Sequence, residues 1–145
     1  MTMFDVPDAA LDELRALYRS LDEEVASLKP TCRRCGLCCD FQRSGLVLYM
    51  GPIEAALFFH HTRSLVSPEN VVCHFFVNGL CTNRLGRSIG CRTWFCDPAL
   101  RQPLQDLHEK YLAFTHDLGR RFFIPWGYRP LAGWTERLRS LTSPH

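Results

Sequence analysis

The spacing of hydrophobic residues near the N-terminus predicts a long amphipathic helix from Pro7 to Leu28. Apolar side chains recur three and four positions apart, and acidic residues lie off that stripe. The stripe consists of Leu11, Leu14, Tyr18, Leu21, Val25 and Leu28. Proline suits a first helical turn, and Pro30 should end the helix because its ring cannot continue the hydrogen-bond pattern.

A second helix is predicted by the same spacing from Pro103 to about Arg121. Its stripe consists of Leu104, Leu107, Tyr111, Phe114, Leu118 and Phe122. Two such stripes in one small chain should be buried against each other or in a shared core. The aromatic segment that follows, residues 122–128, is interpreted as core or lid packing because aromatic side chains dominate small cores. The tail from Ser140 is expected to be loose.

Between these helices the pattern is irregular and predicts short elements. Residues 45–50 are typical of a short strand, and Gly51-Pro52 starts a third helix that runs to about Thr62. The strongest hairpin signal is Asn78-Gly79 between two apolar segments, residues 71–77 and 80–83. A two-residue type I′ turn needs positive φ at both positions, and this dipeptide supplies it.

The predicted hairpin has a consequence for two cysteines. A two-residue turn pairs Val77 with Leu80 and Phe76 with Cys81. Cys73 lies three residues before Phe76, an odd number, so Cys73 and Cys81 should point to opposite faces. One metal site shared by both would need a one-residue bulge or ligands at the frayed end of the hairpin, whereas two sites would not.

Cysteine is the residue that most changes this picture. Four thiols fall within eight residues at Cys32, Cys35, Cys38 and Cys39, and four more follow at Cys73, Cys81, Cys91 and Cys96. Two residues between cysteines allow a tight turn to aim both sulfurs at one ion. The same spacing opens the iron–sulfur motif of bacterial ferredoxins. All eight cysteines are therefore candidate metal ligands.

Thiolate ligands favour an iron–sulfur cluster or zinc and exclude magnesium or calcium. We prefer iron–sulfur narrowly, because Cys32, Cys35 and Cys38 offer three corners of a cubane and a distal cysteine supplies the fourth. Zinc is the alternative, since Cys-x-x-Cys-Gly is also a zinc knuckle. Cys39 should point away from Cys38, so it serves a second ion, bridges two metals or carries out chemistry.

Other polar residues lie close to the cysteines in sequence. Asp97-Pro98 is typical of a helix cap, which would place Cys96 at a helix N-terminus that stabilises a thiolate. Six arginines either offset the charge of a thiolate cluster or are solvated surface. They are Arg33, Arg34, Arg43, Arg84, Arg87 and Arg92. The six histidines are interpreted as surface or core residues.

Length and charge limit the possible functions. The 145 residues suit one domain, and a net charge of +2 gives little support to nucleic-acid binding. No uncharged apolar segment approaches the ~18 residues of a membrane span. Residues 1–8 lack the basic start and apolar core of a signal peptide, so we expect a cytoplasmic location with reduced thiols. Four disulfides are the competing interpretation of eight cysteines.

The cysteine pattern resembles the YkgJ-like cysteine-cluster family, whose members are described as zinc- or iron-chelating domains. Its C-x-x-C-x-x-C-C motif is matched by Cys32, Cys35, Cys38 and Cys39, and its later cysteines by Cys73, Cys81, Cys91-Arg92 and Cys96. Many members carry Arg-Pro before the Cys-Arg pair, where this chain has residues 87–90 as Arg-Ser-Ile-Gly. The resemblance covers residues 32–97. It implies a metal-binding domain, and methyl transfer as an activity, because a flagellin lysine methylase is linked to the family.

Together these features predict an α+β fold: a small, metal-stabilised domain, mainly helical, with a short β-hairpin and an irregular cysteine-rich centre. We expect one domain over residues 1–145, with an N-terminal helix in 1–30, a cysteine-cluster metal-binding region in 31–98 and a C-terminal helical region in 99–139. The predicted function is a metal-binding protein that coordinates an iron–sulfur cluster or zinc. The alternatives are a redox or methyl-transferring enzyme that uses the metal centre, or a zinc-ordered adaptor for a protein partner.

Overall fold

Helices make up most of the computed structural model, which describes residues 3–30, 48–60, 76–77, 80–81, 86–95 and 97–142. The α-helices are α1 (Asp8–Leu28), α2 (Pro52–Phe58), α3 (Ile89–Thr93), α4 (Arg101–Arg121) and α5 (Leu131–Thr142). Short 3-10 helices span Met3–Asp5 and Pro98–Leu100. The strands are β1 (Tyr49–Met50), β2 (Phe76–Val77), β3 (Leu80–Cys81) and β4 (Arg129–Pro130).

Helix α1 confirms the prediction from hydrophobic spacing. It begins one residue later than expected, because Pro7 has an extended backbone and acts as the N-cap. Every residue of the predicted stripe is buried except Leu28, which is half-buried. The helix ends at Lys29, whose left-handed backbone stops the hydrogen-bond pattern one residue before Pro30. The buried face packs against α4 and α2.

Helix α4 occupies the expected segment, but its buried face differs from the predicted stripe. It begins at Arg101 rather than Pro103. Phe114 was expected in the core and is instead 42% exposed. Its ring forms a T-shaped pair with the Tyr111 ring, and the two ring centres are 5.3 Å apart. Thr115 and Gly119 are buried in its place. The spacing of apolar residues locates an amphipathic helix, but tertiary packing decides which of its neighbouring rows is buried.

A small antiparallel sheet joins two parts of the chain that are far apart in sequence. Strand β1 pairs with β4, and Tyr49 faces Pro130 while Met50 faces Arg129. The indole nitrogen Nε1 of Trp134 in α5 donates a hydrogen bond to the Met50 carbonyl at 2.8 Å. Helix α5 therefore packs on the sheet and continues to Thr142, so the expectation of a loose tail from Ser140 is wrong for residues 140–142.

The hairpin is confirmed in its register. Phe76 pairs with Cys81 and Val77 with Leu80, as the two-residue spacing requires. The turn residues and Cys73 lie outside the described residues, so the argument about opposite faces stays a prediction. A mainly helical α+β fold with a short antiparallel hairpin is thus confirmed, and stabilisation by a metal stays a prediction.

Within the described residues, none of the helices combines the length and the apolar character needed to cross a membrane.

The third predicted helix is present as α2, which ends at Phe58 rather than near Thr62. The core lies between α1, α2, α4 and α5, and Ile89 of α3 is buried within it. Helix α3, which carries Cys91, therefore rests directly on the core.

Candidate metal centre

Of the eight predicted ligands, Cys91 is the one whose side chain the structure describes. Only the backbone of Cys81 is described, within β3. The other six lie outside the described residues: Cys32, Cys35, Cys38, Cys39, Cys73 and Cys96. Among the residues that are described, no group of three or more Cys, His, Asp or Glu side chains is placed to hold a metal ion. The set of ligands therefore stays a prediction from the sequence. Cys91 is the predicted ligand whose neighbouring side chains are described.

Cys91 lies on the five-residue helix α3, which Ser88 caps. The Ser88 Oγ accepts a hydrogen bond from the Cys91 backbone nitrogen at 3.3 Å, so it satisfies one of the free N–H groups at the start of the helix. The same hydroxyl lies 3.4 Å from the Cys91 Sγ, towards which it can donate. The sulfur is half-buried. A hydroxyl donor beside a sulfur is the kind of outer contact that steadies a metal-bound thiolate.

A buried carboxylate fixes the start of α3 to the core. Glu54 Oε1 accepts a hydrogen bond from the Ile89 backbone nitrogen at 2.8 Å. Its Oε2 accepts one from the Gly51 nitrogen at 3.2 Å, and the Tyr18 hydroxyl donates to Oε1 at 3.4 Å. Glu54 thus connects α1, the start of α2 and the start of α3. One buried side chain thus helps to fix α3 against two other helices.

Burial controls the ionisation of this cluster. It raises the pKa of Glu54 from 4.5 to about 7, against the opposing effect of the hydrogen bonds from Ile89, Gly51 and Tyr18 and the charge of Arg92. Burial, followed by the nearby charge of Glu54, also raises the pKa of Tyr18 well above its usual value. The carboxyl is therefore close to half-protonated near neutral pH, and the phenol stays neutral.

The arginine beside Cys91 joins α3 to α1. The Arg92 side chain is 5% exposed, and its Nη1 donates to Asp22 Oδ2 at 2.7 Å. Its Nε donates to the Arg87 carbonyl at 2.8 Å, and its guanidinium carbon lies 4.1 Å from the centre of the Tyr18 ring. Solvated surface, one of the two interpretations from sequence, is therefore wrong for Arg92. Part of its positive charge is offset by Asp22.

Sequence reasoning missed the residues that hold α3 in place. Tyr18 was assigned to an apolar stripe and Asp22 to the polar face of α1. Glu54 had a recognisable signal, since it is the one charged residue in the otherwise apolar segment 51–59. A lone carboxylate in such a segment is buried together with its hydrogen-bond donors. Its partners could not be found locally, because two of them lie more than thirty residues away.

The predicted cap after the last cysteine is confirmed. Asp97 Oδ1 accepts a hydrogen bond from the Ala99 nitrogen at 3.2 Å, and Pro98 opens the 3-10 helix that leads into α4. Cys96 itself lies outside the described residues. Its effect at a helix N-terminus therefore stays a prediction.

The histidines and the aromatic segment give a mixed result. His60 and His116 are exposed and His108 is half-buried, as surface and core interpretations allow. The aromatic segment 122–128 is only partly in the core: Phe123 is 92% exposed, so core packing is wrong for that residue. Trp126 is 40% exposed and stacks parallel to Tyr128 with ring centres 6.0 Å apart.

No family model, curated protein or solved structure matches this chain. The resemblance to the cysteine-cluster family therefore rests on the cysteine spacing alone.

Proposed function

We propose that this chain is a metal-binding cysteine-cluster protein of the YkgJ-like type, which holds an iron–sulfur cluster or a zinc ion through Cys thiolates. The observation that carries the proposal is the run of four thiols in eight residues, Cys32 to Cys39. The cytoplasm is the proposed location, because that compartment keeps clustered thiols reduced and available to a metal.

The surroundings of Cys91 support the proposal. A metal ligand needs a fixed backbone and an outer hydrogen bond, so that the sulfur is already in place when the ion arrives. Helix α3 has both, since Glu54 and Arg92 tie it to the core and the Ser88 hydroxyl lies beside the sulfur. A half-buried thiol with a hydroxyl donor suits a thiophilic metal such as zinc or iron.

The charge near Cys91 also fits a thiolate ligand. A four-thiolate site carries net negative charge, which nearby cations stabilise. Arg92 follows Cys91 directly, and its guanidinium is held in the interior rather than in solvent. Asp22 neutralises part of that charge, and the guanidinium also lies on the Tyr18 ring, so its effect on a thiolate at Cys91 would act through the interior rather than by direct contact.

The proposal is tested by metal content in single variants. Cys35→Ser should lose the metal, because Cys32, Cys35 and Cys38 are proposed to share one centre. Cys39→Ser removes the same chemical group from the same run and is the matched control. It should retain at least part of the metal, since neighbouring side chains diverge along the backbone.

Both variants are purified anaerobically and analysed by plasma mass spectrometry together with the unmodified protein. Full metal occupancy in Cys35→Ser, combined with an empty Cys39→Ser, would overturn the proposed ligand assignment. Unmodified protein that carries no bound metal after anaerobic purification and reconstitution with iron or zinc would overturn the function itself.

A further inference from the structure

A cavity of about 550 Å³ lies between α3, the start of α4 and strand β1. Four aromatic residues line it: Tyr49, Trp94, Phe95 and Tyr128. Its volume is within the range of sites that bind small organic molecules, about 300–1,000 Å³. The Tyr49 and Tyr128 rings stack with centres 5.4 Å apart and an angle of 23° between their planes. Aromatic faces thus form much of its wall.

One polar side chain in this wall has a defined hydrogen-bonding state. The Thr93 hydroxyl donates its single proton to the Ile89 carbonyl at 2.9 Å. The same oxygen lies 3.3 Å from His108 Nδ1. Because the hydroxyl proton is already donated to Ile89, the threonine oxygen acts as the acceptor in this second hydrogen bond. The donor is then His108 Nδ1, which carries the ring proton. Burial lowers the pKa of His108, which favours the neutral ring.

His108 therefore presents Nε2 as an acceptor. In a neutral imidazole with the proton on Nδ1, Nε2 holds a lone pair. His108 lines the cavity, and among the described residues no hydrogen bond to Nε2 is found. An acceptor of this kind at an aromatic-walled cavity orients a ligand that brings one donor.

The charges at the cavity select for overall neutrality. Asp97 and Arg101 both line it and carry opposite charges. One carboxylate and one guanidinium on the same wall give no net preference for an anion or a cation. A charged ligand would be attracted by one of these groups and repelled by the other, so a net charge on the ligand brings no advantage at this wall.

We propose that this cavity binds a small, flat aromatic molecule without net charge, which stacks on the aromatic wall and donates one N–H or O–H hydrogen bond to His108 Nε2. Among the described residues, none that lines this cavity is a predicted metal ligand, so the proposal goes beyond the proposed metal binding. Indole is a suitable probe, since it has a flat ring system and a single N–H donor.

The first test compares indole with benzofuran, in which an oxygen replaces the N–H group. Both are titrated into the ¹⁵N-labelled protein and followed by two-dimensional NMR. Indole should saturate with a dissociation constant of roughly 0.1–1 mM, a normal affinity for a ligand of this size. The shifted resonances should include Gly90, Thr93 and the Trp94 side chain. Benzofuran should bind about fivefold to tenfold more weakly, because it leaves the acceptor without a donor.

The second test replaces the acceptor. His108→Phe keeps a ring in the wall and removes Nε2, so indole and benzofuran should then bind equally. His116→Phe is the matched control, because His116 is also on α4 but contacts Trp126, with ring centres 4.7 Å apart, and does not line the cavity. This control should keep the preference for indole.

Three results would overturn the proposal. One is indole binding that does not saturate or shifts resonances across the whole surface. Another is equal affinity for indole and benzofuran in the unmodified protein, which needs no variant and so does not depend on whether His108→Phe folds. The third is a preserved indole preference in a folded His108→Phe protein.

Discussion

Replacing Glu54 with glutamine should remove a pH-dependent loss of stability that the buried carboxyl imposes on the fold. Glu54 is 1% exposed, and burial raises its pKa from 4.5 to about 7. The unfolded chain has no such environment, so there the carboxyl titrates near 4.5. Between these two values the folded state binds the proton and the unfolded state does not.

The sign and size follow from linkage. Because folded Glu54 binds more protons in this range, its contribution to the free energy of unfolding falls as pH rises from about 4.5 to about 7 and levels off above. A pKa difference of that size corresponds to about 3 kcal/mol, most of which falls between pH 5 and pH 8. Solvent screens this carboxyl little, since its side chain is fully buried.

The assay is urea unfolding followed by circular dichroism from pH 5 to pH 8, for unmodified protein and Glu54→Gln. The glutamine NH₂ cannot accept the hydrogen bond from the Gly51 nitrogen, so the variant bears a pH-independent cost of about 1–3 kcal/mol. Unmodified protein should therefore be more stable at pH 5, and this advantage should shrink by roughly 2–3 kcal/mol by pH 8. Taking the difference between the two proteins cancels His108, whose lowered pKa makes stability rise with pH.

Glu136→Gln is the control, because Glu136 is an exposed glutamate of α5. Its pH profile should run parallel to that of the unmodified protein. A difference between unmodified protein and Glu54→Gln that varies by less than about 0.5 kcal/mol from pH 5 to pH 8 would refute the reasoning, since a buried carboxyl with a raised pKa must produce the larger change.

Three further predictions concern the core and the metal. Leu14→Ala should lower the free energy of unfolding in urea by about 3 kcal/mol because Leu14 is fully buried. Phe114→Ala, on the exposed side of α4, should lower it by less than about 1 kcal/mol. Equal losses would contradict the assigned helix faces. Gly51→Ala should cost about 1–3 kcal/mol and alter the near-ultraviolet dichroism of Trp126, since the new Cβ would lie 2.7 Å from that ring; an unchanged spectrum would contradict this contact. A strong chelator under reducing conditions should lower the melting temperature sharply, and an unchanged melting curve after verified metal loss would exclude a structural role.

The sequence predicts the local elements well where a single spacing of apolar residues or a turn of fixed length determines the structure. The burial of α1 follows from its apolar spacing, and the hairpin register follows from the length of its turn. Both depend on residues that are neighbours in the chain. By contrast, the sheet that pairs β1 with β4 joins segments about eighty residues apart and has no local signal.

The same limit explains the errors at α4 and at the candidate site. Apolar spacing placed Phe114 in the core, but Thr115 and Gly119 are the residues buried beside that position. A Cβ at Gly119 would lie 4.0 Å from Ile53 of α2, a contact that the spacing within α4 does not reveal. The cysteines were found from spacing and resemblance. Glu54 and Arg92, which hold α3, act through partners on other helices, so their roles required tertiary structure.

The most direct test of metal binding by the cysteine cluster is metal analysis and a visible absorption spectrum of the anaerobically purified protein. An iron–sulfur cluster gives a broad visible absorption that is lost when a chelator or oxidant destroys the cluster, whereas zinc gives a colourless protein with stoichiometric metal. Of these two results we expect the iron–sulfur spectrum, with a colourless zinc protein as the alternative. Metal-free protein with four intact disulfides under the same conditions would contradict the proposed function.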